Sequence, residues 1–361
     1  MKPRNIAIAC GVAGAAVGLA AAAGIVYRKQ IKSAASLKRL TDYADGYDLY
    51  AIDVAYDYDL DRIIAAGVRD DQAYIDAVVA QVLPGVPAHV QAPQFACSAF
   101  AAVDAEGRVR TGRNYDFKDD TSALLVRNHL RDGYASIGFA ALNNLGTNAP
   151  LDSVAGRTAA LMGPFAQLDG VNECGVSIAV LTLDSKPCDQ DAQRPVINTS
   201  LAIRLVLDRA ATTQEAVDLL SAYDMHAMAG RDYHFFINDA ASDARVVEWD
   251  PRDPDRAFKA TPVTQVTNFY ACYGDEVLPN QKNDELGHGK ERAVAIADVL
   301  DAHAGAQDEA VAWKALRAAA QEPNPEDITS NTQWSVIFDN TEPAAAITLR
   351  RHWGDVDAFA L

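Results

Sequence analysis

Cys97-Ser-Ala-Phe-Ala-Ala-Val-Asp-Ala-Glu-Gly-Arg-Val-Arg-Thr-Gly-Arg-Asn-Tyr-Asp-Phe117 decides how this chain is read. Residues 98–103 are small and apolar, Asp104-Ala-Glu-Gly107 supplies turn residues, and 109–117 runs back, so the stretch predicts a β-hairpin. With Ala105 and Glu106 at the tip, Cys97 stands opposite Asn114. Asp116 then lies diagonally across on the same face, roughly 7–8 Å away between Cα atoms. Arg113 starts on the other face, and a bulge or a one-residue register shift must bring it in. A thiol, a guanidinium and a carboxylate thus converge at one hairpin end.

Two readings compete for these residues. In one, Cys97 is a small buried hydrophobe and Arg113 and Asp116 form a structural ion pair. In the other, the thiol is a nucleophile. Gln-Ala-Pro-Gln-Phe-Ala96, just before it, reads as an exposed, breakable linker. A cut between Ala96 and Cys97 places a new α-amino group beside the thiol. Such an amine titrates at roughly 7.7–8.0, so it can take the thiol proton without a histidine. Asp116 is then placed to hold that amine, and Arg113 to raise the local positive potential and favour thiolate. An amide substrate also needs an oxyanion donor. The side-chain amide of Asn268, at a predicted strand end, is the natural one.

Cys97 followed by Gly-Arg-Asn-Tyr-Asp (112–116) resembles the start of the mature choloylglycine hydrolase / penicillin V acylase family. These are N-terminal-nucleophile (Ntn) hydrolases of linear amides, a group that includes acid ceramidase. Further matches are Asp169-Gly-Val-Asn-Glu-Cys-Gly175, Val266-Thr-Asn-Phe269, Arg292 at a helix start, and Thr332-Gln-Trp-Ser335. They keep the family's order over all of 97–361. The resemblance implies an α+β fold, the αββα four-layer sandwich, with no cofactor. It pairs Asn268 with the backbone N–H at Thr182 as oxyanion donors and sets Arg292 in the polar network around the thiol. Position 182 is Asn or Tyr in the best-known bile-salt and penicillin enzymes, so Thr182 keeps the N–H but carries over no substrate preference. Only 24 positions separate Asn268 from Arg292. The tetrameric members carry a longer assembly insertion there, so a tetramer of that type is not expected.

Composition narrows the alternatives. Of 361 residues 49% are hydrophobic, enough for a large core, and the net charge is −17. That charge argues against nucleic acid as a partner and against strong attraction of the main domain to anionic lipid. The five cysteines (10, 97, 174, 188, 272) are odd in number and widely spaced, indicating neither a disulfide scaffold nor a metal site. No G-x-S-x-G or H-E-x-x-H occurs, and Gly287-His-Gly-Lys290 lacks the Ser/Thr and the earlier Gly of a phosphate loop.

Three segments follow from the pattern: 1–39, a signal or transmembrane segment with its basic flank; 40–96, a helical propeptide; and 97–361, the catalytic domain. Residues 6–27 carry no charge and are flanked by Lys2, Arg4, Arg28, Lys29 and Lys32. That length can span a bilayer or serve as an export signal. The placement expected is membrane-anchored or secreted, with the extracellular side favoured over the cytoplasmic one. Helices are predicted over 56–66 and 71–83, the second with an apolar stripe that must be covered. The resemblance to acid ceramidase implies that this piece stays bound after a cut; departure is the rival. Beyond Cys97, strands are expected over 176–183, 234–238, 245–250, 265–270, 335–339 and 345–353. Helices are expected over 200–209, 213–222, 291–303 and 308–320. His234 reads as a packed core histidine, Asp169 and Asn172 as loop-shaping residues.

The expected function is a self-processed cysteine amidohydrolase that cleaves the linear amide of a small N-acyl compound through Cys97. Bile-salt, penicillin V and N-acyl amino acid or lipid types all remain open. The alternatives are an acyltransferase on the same scaffold and a non-catalytic, membrane-tethered binding protein.

Overall fold

The computed structural model describes residues 27–84, 96–146, 151, 153–280, 286–324 and 330–361. Its centre is two stacked sheets. One has six strands, in the order Gln265–Val266, Ala96–Val103, Val109–Asp116, Thr332–Asp339, Ala344–Leu349 and Asp357–Ala360, all antiparallel. The other has nine and contains Ala123–Asn128, Ser136–Ala141, Gln167–Asn172, Ser177–Leu183, Asp232–Asn238 and Arg245–Trp249 as consecutive neighbours. Side chains cross between them: Thr111 Oγ1 is 2.7 Å from Ser177 Oγ, and the rings of Phe139 and Phe338 sit 6.2 Å apart.

Helices cover both outer faces. Thr199–Arg209 packs on the strands Gln167–Asn172 and Ser177–Leu183. Lys290–Asp301 and Glu309–Ala319 close a second core over the six-stranded sheet, formed by Phe100, Ala102, Ile296, Leu300, Leu316 and Ile337. This is the αββα sandwich. Capping side chains fix where helices begin. Asn198 Oδ1 accepts from Leu201 N–H, Asp308 Oδ1 from Val311 N–H, and Thr212 Oγ1 from Glu215 N–H. These three helices start within a residue or two of the predicted positions.

The central hairpin forms, with a register one residue away from the expected one. Cys97 pairs with Tyr115, not Asn114, and Ala96 pairs with Asp116. The cause is the turn. Asp104 N–H donates to Arg108 O, Asp104 Oδ1 accepts from Glu106 and Arg108 N–H, and Gly107 takes φ +84°, so the loop has an odd number of residues. The shift brings Arg113 to the Cys97 face and turns Asp116 to the opposite one.

The segment before Cys97 is not helical throughout. Leu49–Val54 is a strand that pairs in parallel with Ala123–Asn128 inside the nine-stranded sheet. Its Leu-Tyr-Ala-Ile run lacks the polar alternation that marks a half-buried strand, because both faces are covered. Leu60–Ala65 is shorter than the expected 56–66 helix, since Asp59 caps it by accepting from Arg62 N–H. Asp71–Val82 forms as expected and buries Tyr74, Ile75, Val78, Val79 and Val82. Tyr74 Oη donates to Phe165 O at 3.0 Å, and Tyr56 Oη to Leu161 O. These side chains belong to the same apolar core as the sheets. Residues 6–26 and 85–95, covering nearly all of the expected span and linker, lie outside the described residues. Among the described residues no helix is long and apolar enough to cross a membrane.

Candidate active site

Cys97 is wholly buried near the start of its strand, and each of its polar atoms has a partner. Its N–H donates to Asn268 Oδ1 at 3.0 Å. Its carbonyl accepts from Arg292 Nη1 at 2.7 Å. Its Sγ lies 3.2 Å from Arg113 Nη2. Three of the expected site residues therefore grip one cysteine at three different atoms.

Arg113 reaches the thiol from the adjacent strand. Nη2 also donates to Val180 O at 2.9 Å, and Nη1 donates to Asp169 Oδ2 at 2.7 Å. The guanidinium carbon stands 5.4 Å from the Tyr115 ring centre and 6.0 Å from that of Trp334. Asp169 also accepts from Trp334 Nε1 and Phe139 N–H, and both it and Arg113 are wholly buried. Asp169 therefore orients Arg113 and does not shape a loop; it sits in the strand Gln167–Asn172. The partner expected for Arg113 by the packing reading, Asp116, pairs with Arg292 instead, at 3.2 Å. Asp116 Oδ1 accepts from Thr332 Oγ1 at 2.6 Å and Oδ2 from Gln321 Nε2 at 2.8 Å.

Asn268 sits just past the strand Gln265–Val266, which ends earlier than the expected 265–270. Nδ2 donates to Thr182 O at 2.9 Å and approaches Thr182 Oγ1 at 3.3 Å, while Arg292 Nη2 donates to Oδ1 at 2.7 Å. The two residues expected to supply oxyanion donors are thus adjacent, and in the uncut chain Thr182 offers its carbonyl to the Asn268 amide. A close backbone approach holds this place: Gly287 has φ +111°, and a Cβ there would stand 2.0 Å from Asn268 O. Arg292, in the first turn of Lys290–Asp301, turns its guanidinium inward to bridge Cys97, Asn268 and Asp116.

Burial dominates the electrostatics. It pushes the Cys97 thiol up to about 12, against the pull of Arg113. Arg113 acts in the expected direction, toward thiolate, but in the uncut chain desolvation of the anion outweighs the nearby cation. Burial likewise raises the carboxyls of Asp116, against Arg292, and of Asp169, against Arg113. Two guanidiniums and two carboxyls enclose a neutral thiol. The other described cysteines, Cys174, Cys188 and Cys272, are free and stand outside the contacts described for Cys97. Among the described residues no three His, Cys, Asp or Glu side chains gather to hold a metal ion.

Sequence reasoning missed Asp169, Trp334, Thr332 and Gln321 as parts of this site. The first three lie in stretches that resemblance had singled out. Gln321, just after the helix Glu309–Ala319, carried no signal.

Comparison with known proteins bears on this arrangement. No curated protein matches the chain at a significant level. Among solved structures, a mutant of the conjugated bile acid hydrolase from Clostridium perfringens superposes with a TM-score of 0.56 at 14% identity, covering 73% of this chain and 92% of that one. Another variant of that hydrolase gives 0.55 at 14%, with the same coverage. Penicillin V acylase from Agrobacterium tumefaciens gives 0.53 at 19%, covering 73% and 86%. These likenesses establish the Ntn-hydrolase fold. The family model described as acyl-coenzyme A:6-aminopenicillanic acid acyl-transferase matches residues 103–352, well over half of the chain. This chain therefore belongs to the acyl-coenzyme A:6-aminopenicillanic acid acyl-transferase family of enzymes, built on the Ntn-hydrolase fold that it shares with bile acid hydrolase and penicillin V acylase.

Proposed function

We propose that the protein is a self-processed amidohydrolase that cleaves the linear amide of a small N-acyl compound through Cys97, without a cofactor. The carrying observation is that Asn268 Oδ1 receives the Cys97 backbone N–H at 3.0 Å. A side-chain acceptor aimed at a main-chain nitrogen becomes a holder of an α-amine once the Ala96–Cys97 bond is cut. The freed amine takes the thiol proton, and Sγ adds to the substrate carbonyl. The oxyanion that forms is met by the Asn268 amide and the backbone N–H of Thr182. The C–N bond breaks, and the ammonium returns its proton to the leaving amine. Water then adds to the thioester, giving its proton to the α-amine, and the acid departs as the thiol is restored. Asp116 and Arg292 balance charge around the amine, and Arg113 faces the sulfur throughout.

The segment 27–84 stays bound after the cut in this reading. Its strand Leu49–Val54 is an integral part of the nine-stranded sheet, and each fully buried Val, Leu or Ile side chain favours burial by about 1.5–3 kcal/mol. The N-terminal run 6–27 gives the protein a membrane-anchored or secreted location, and the short interval between Asn268 and Arg292 leaves it without the assembly-insertion tetramer.

The test is a panel of N-acyl amides (bile-salt, phenoxyacyl and fatty-acyl amino acid types) against the purified wild type and Cys97→Ala. Hydrolysis of at least one amide by wild type alone supports the proposal; equal rates for the two proteins overturn it. A second reading, acyl transfer, is favoured by the family to which the chain belongs. An added amine acceptor that captures the acyl group faster than water does would establish it.

A further inference from the structure

The strand Asp232–Asn238 holds His234 wholly out of solvent, with both ring nitrogens engaged. Nε2 lies 3.0 Å from the Thr267 carbonyl oxygen, and Nδ1 lies 3.2 Å from Glu248 Oε2 on the neighbouring strand Arg245–Trp249. A carbonyl oxygen only accepts, so Nε2 carries a hydrogen. Glu248 is buried as deeply. Its Oε2 accepts from Ala271 N–H at 3.0 Å and its Oε1 from Cys272 N–H at 2.6 Å. The ring thus bridges the Glu248 carboxyl and the Thr267 carbonyl.

The contacts of this pair converge on one short segment. The six-stranded sheet releases the chain after Val266, and beyond it a single antiparallel bridge, Phe269 to Gly287, takes over. His234 fixes the carbonyl just before Asn268, and Glu248 fixes the amides of Ala271 and Cys272 beyond it. The His288 N–H donates to the carbonyl of Asn268 itself, at 2.8 Å. A buried polar pair whose backbone partners lie in one short segment fixes that segment, since breaking any of its hydrogen bonds leaves a buried polar group unsatisfied. We propose that His234 and Glu248 are positioning residues that hold the Asn268 side-chain amide against Cys97, acting through the backbone of residues 267–272. This rests on the reading of Asn268 as the oxyanion donor.

The experiment uses the full chain with His234→Gln and Glu248→Gln, beside wild type. Nitrogen-15 NMR of the histidine rings is expected to show one wild-type histidine whose ring N–H is hydrogen-bonded and protected from solvent exchange. That signal is absent from His234→Gln and shifted in Glu248→Gln. The Asn268 side-chain NH2 resonances, assigned with Asn268→Asp, move in both variants. Rates corrected for folded fraction show kcat lower by on the order of 10- to 100-fold with KM little changed, since a misplaced oxyanion donor costs the transition state and not substrate binding. A wild-type His234 ring N–H in fast exchange with solvent overturns the proposal. So do Asn268 resonances that stay in place, or a kcat that falls only as far as the folded fraction. A wild type that cleaves no amide, while the NMR results hold, counts against the amidase reading and leaves the positioning role standing.

Discussion

Arg292 Nη2 and the Cys97 backbone N–H both donate to the same atom, Asn268 Oδ1, at 2.7 and 3.0 Å. One side chain thus has two jobs on its two ends: Oδ1 gathers the cysteine and the arginine, and Nδ2 faces Thr182. Substitution separates them. Asn268→Asp keeps an oxygen toward Cys97 and Arg292 and removes the NH2, so processing is expected to persist while kcat falls on the order of 10²–10³-fold. Asn268→Ala loses both ends, and its processing is expected to slow as well. Intact mass and steady-state kinetics on the two variants read the difference.

Arg113 and Asp169 form a wholly buried pair, with the cation shared between Asp169 and the thiol. Removing one partner leaves an uncompensated charge. Arg113→Met is expected to destabilise the protein by about 3–5 kcal/mol. Adding Asp169→Leu to Arg113→Met should recover part of that loss, because the stranded carboxylate is gone. Urea unfolding of the single and double variants measures both. A double variant no more stable than Arg113→Met would show that the pair's geometry, and not its charge balance, sets the cost.

Asp184 gives a pH signature. Burial pushes its carboxyl up, but the hydrogen bond and charge of His288 and the charge of Arg231 outweigh burial and hold it below 3.8. His288 Nδ1 stands 2.7 Å from Asp184 Oδ2. A carboxyl lowered by folding binds fewer protons in the folded state. Its stabilisation is present above the ordinary value and is lost as pH falls through the folded value. Asp184→Asn is therefore expected to lower stability near neutral pH, by no more than about 1 kcal/mol since the side chain is partly exposed. The gap to wild type should close as the pH is taken down through the carboxyl range. Melting temperatures over a pH series test this, and a gap that widens in acid would contradict it.

The helix Asp71–Val82 faces the core with Ile75 and Val78, each about 1% exposed. Ile75→Ala is expected to cost about 2–5 kcal/mol. In a cut protein the same change should promote loss of the N-terminal piece on size-exclusion chromatography, where wild type is expected to run as a two-chain complex. If the wild-type piece already departs in native buffer, the strand Leu49–Val54 does not hold as it is placed.

Much of this architecture was legible in the sequence, for reasons that differ between residues. The helix 71–82 could be read because its apolar spacing and its Asp70 cap agree. The hairpin of Cys97 could be read from its small apolar run and turn residues, but its register could not. The choice between a two-residue tip and the loop closed by Asp104 depends on one carboxylate reaching two amides. That single residue decides which face Arg113 occupies. Leu49–Val54 was missed because a strand covered on both faces shows no period, and Asp169 was assigned to a loop because Asp-Gly-Val-Asn looks like a turn. His234 looked like a core histidine and is one by burial. What sequence could not show is that its two partners, Glu248 on the next strand and the Thr267 carbonyl, tie it to the segment that carries Asn268.

The measurement that bears most directly on this account is the N-terminal sequence and intact mass of the protein in the state that turns over an N-acyl amide. The account predicts a chain that starts at Cys97, with the preceding segment recovered as a separate, bound polypeptide, and a Cys97→Ala protein that remains whole and inactive. An active protein in which the Ala96–Cys97 bond is intact, or whose catalytic chain starts at any other residue, would contradict it.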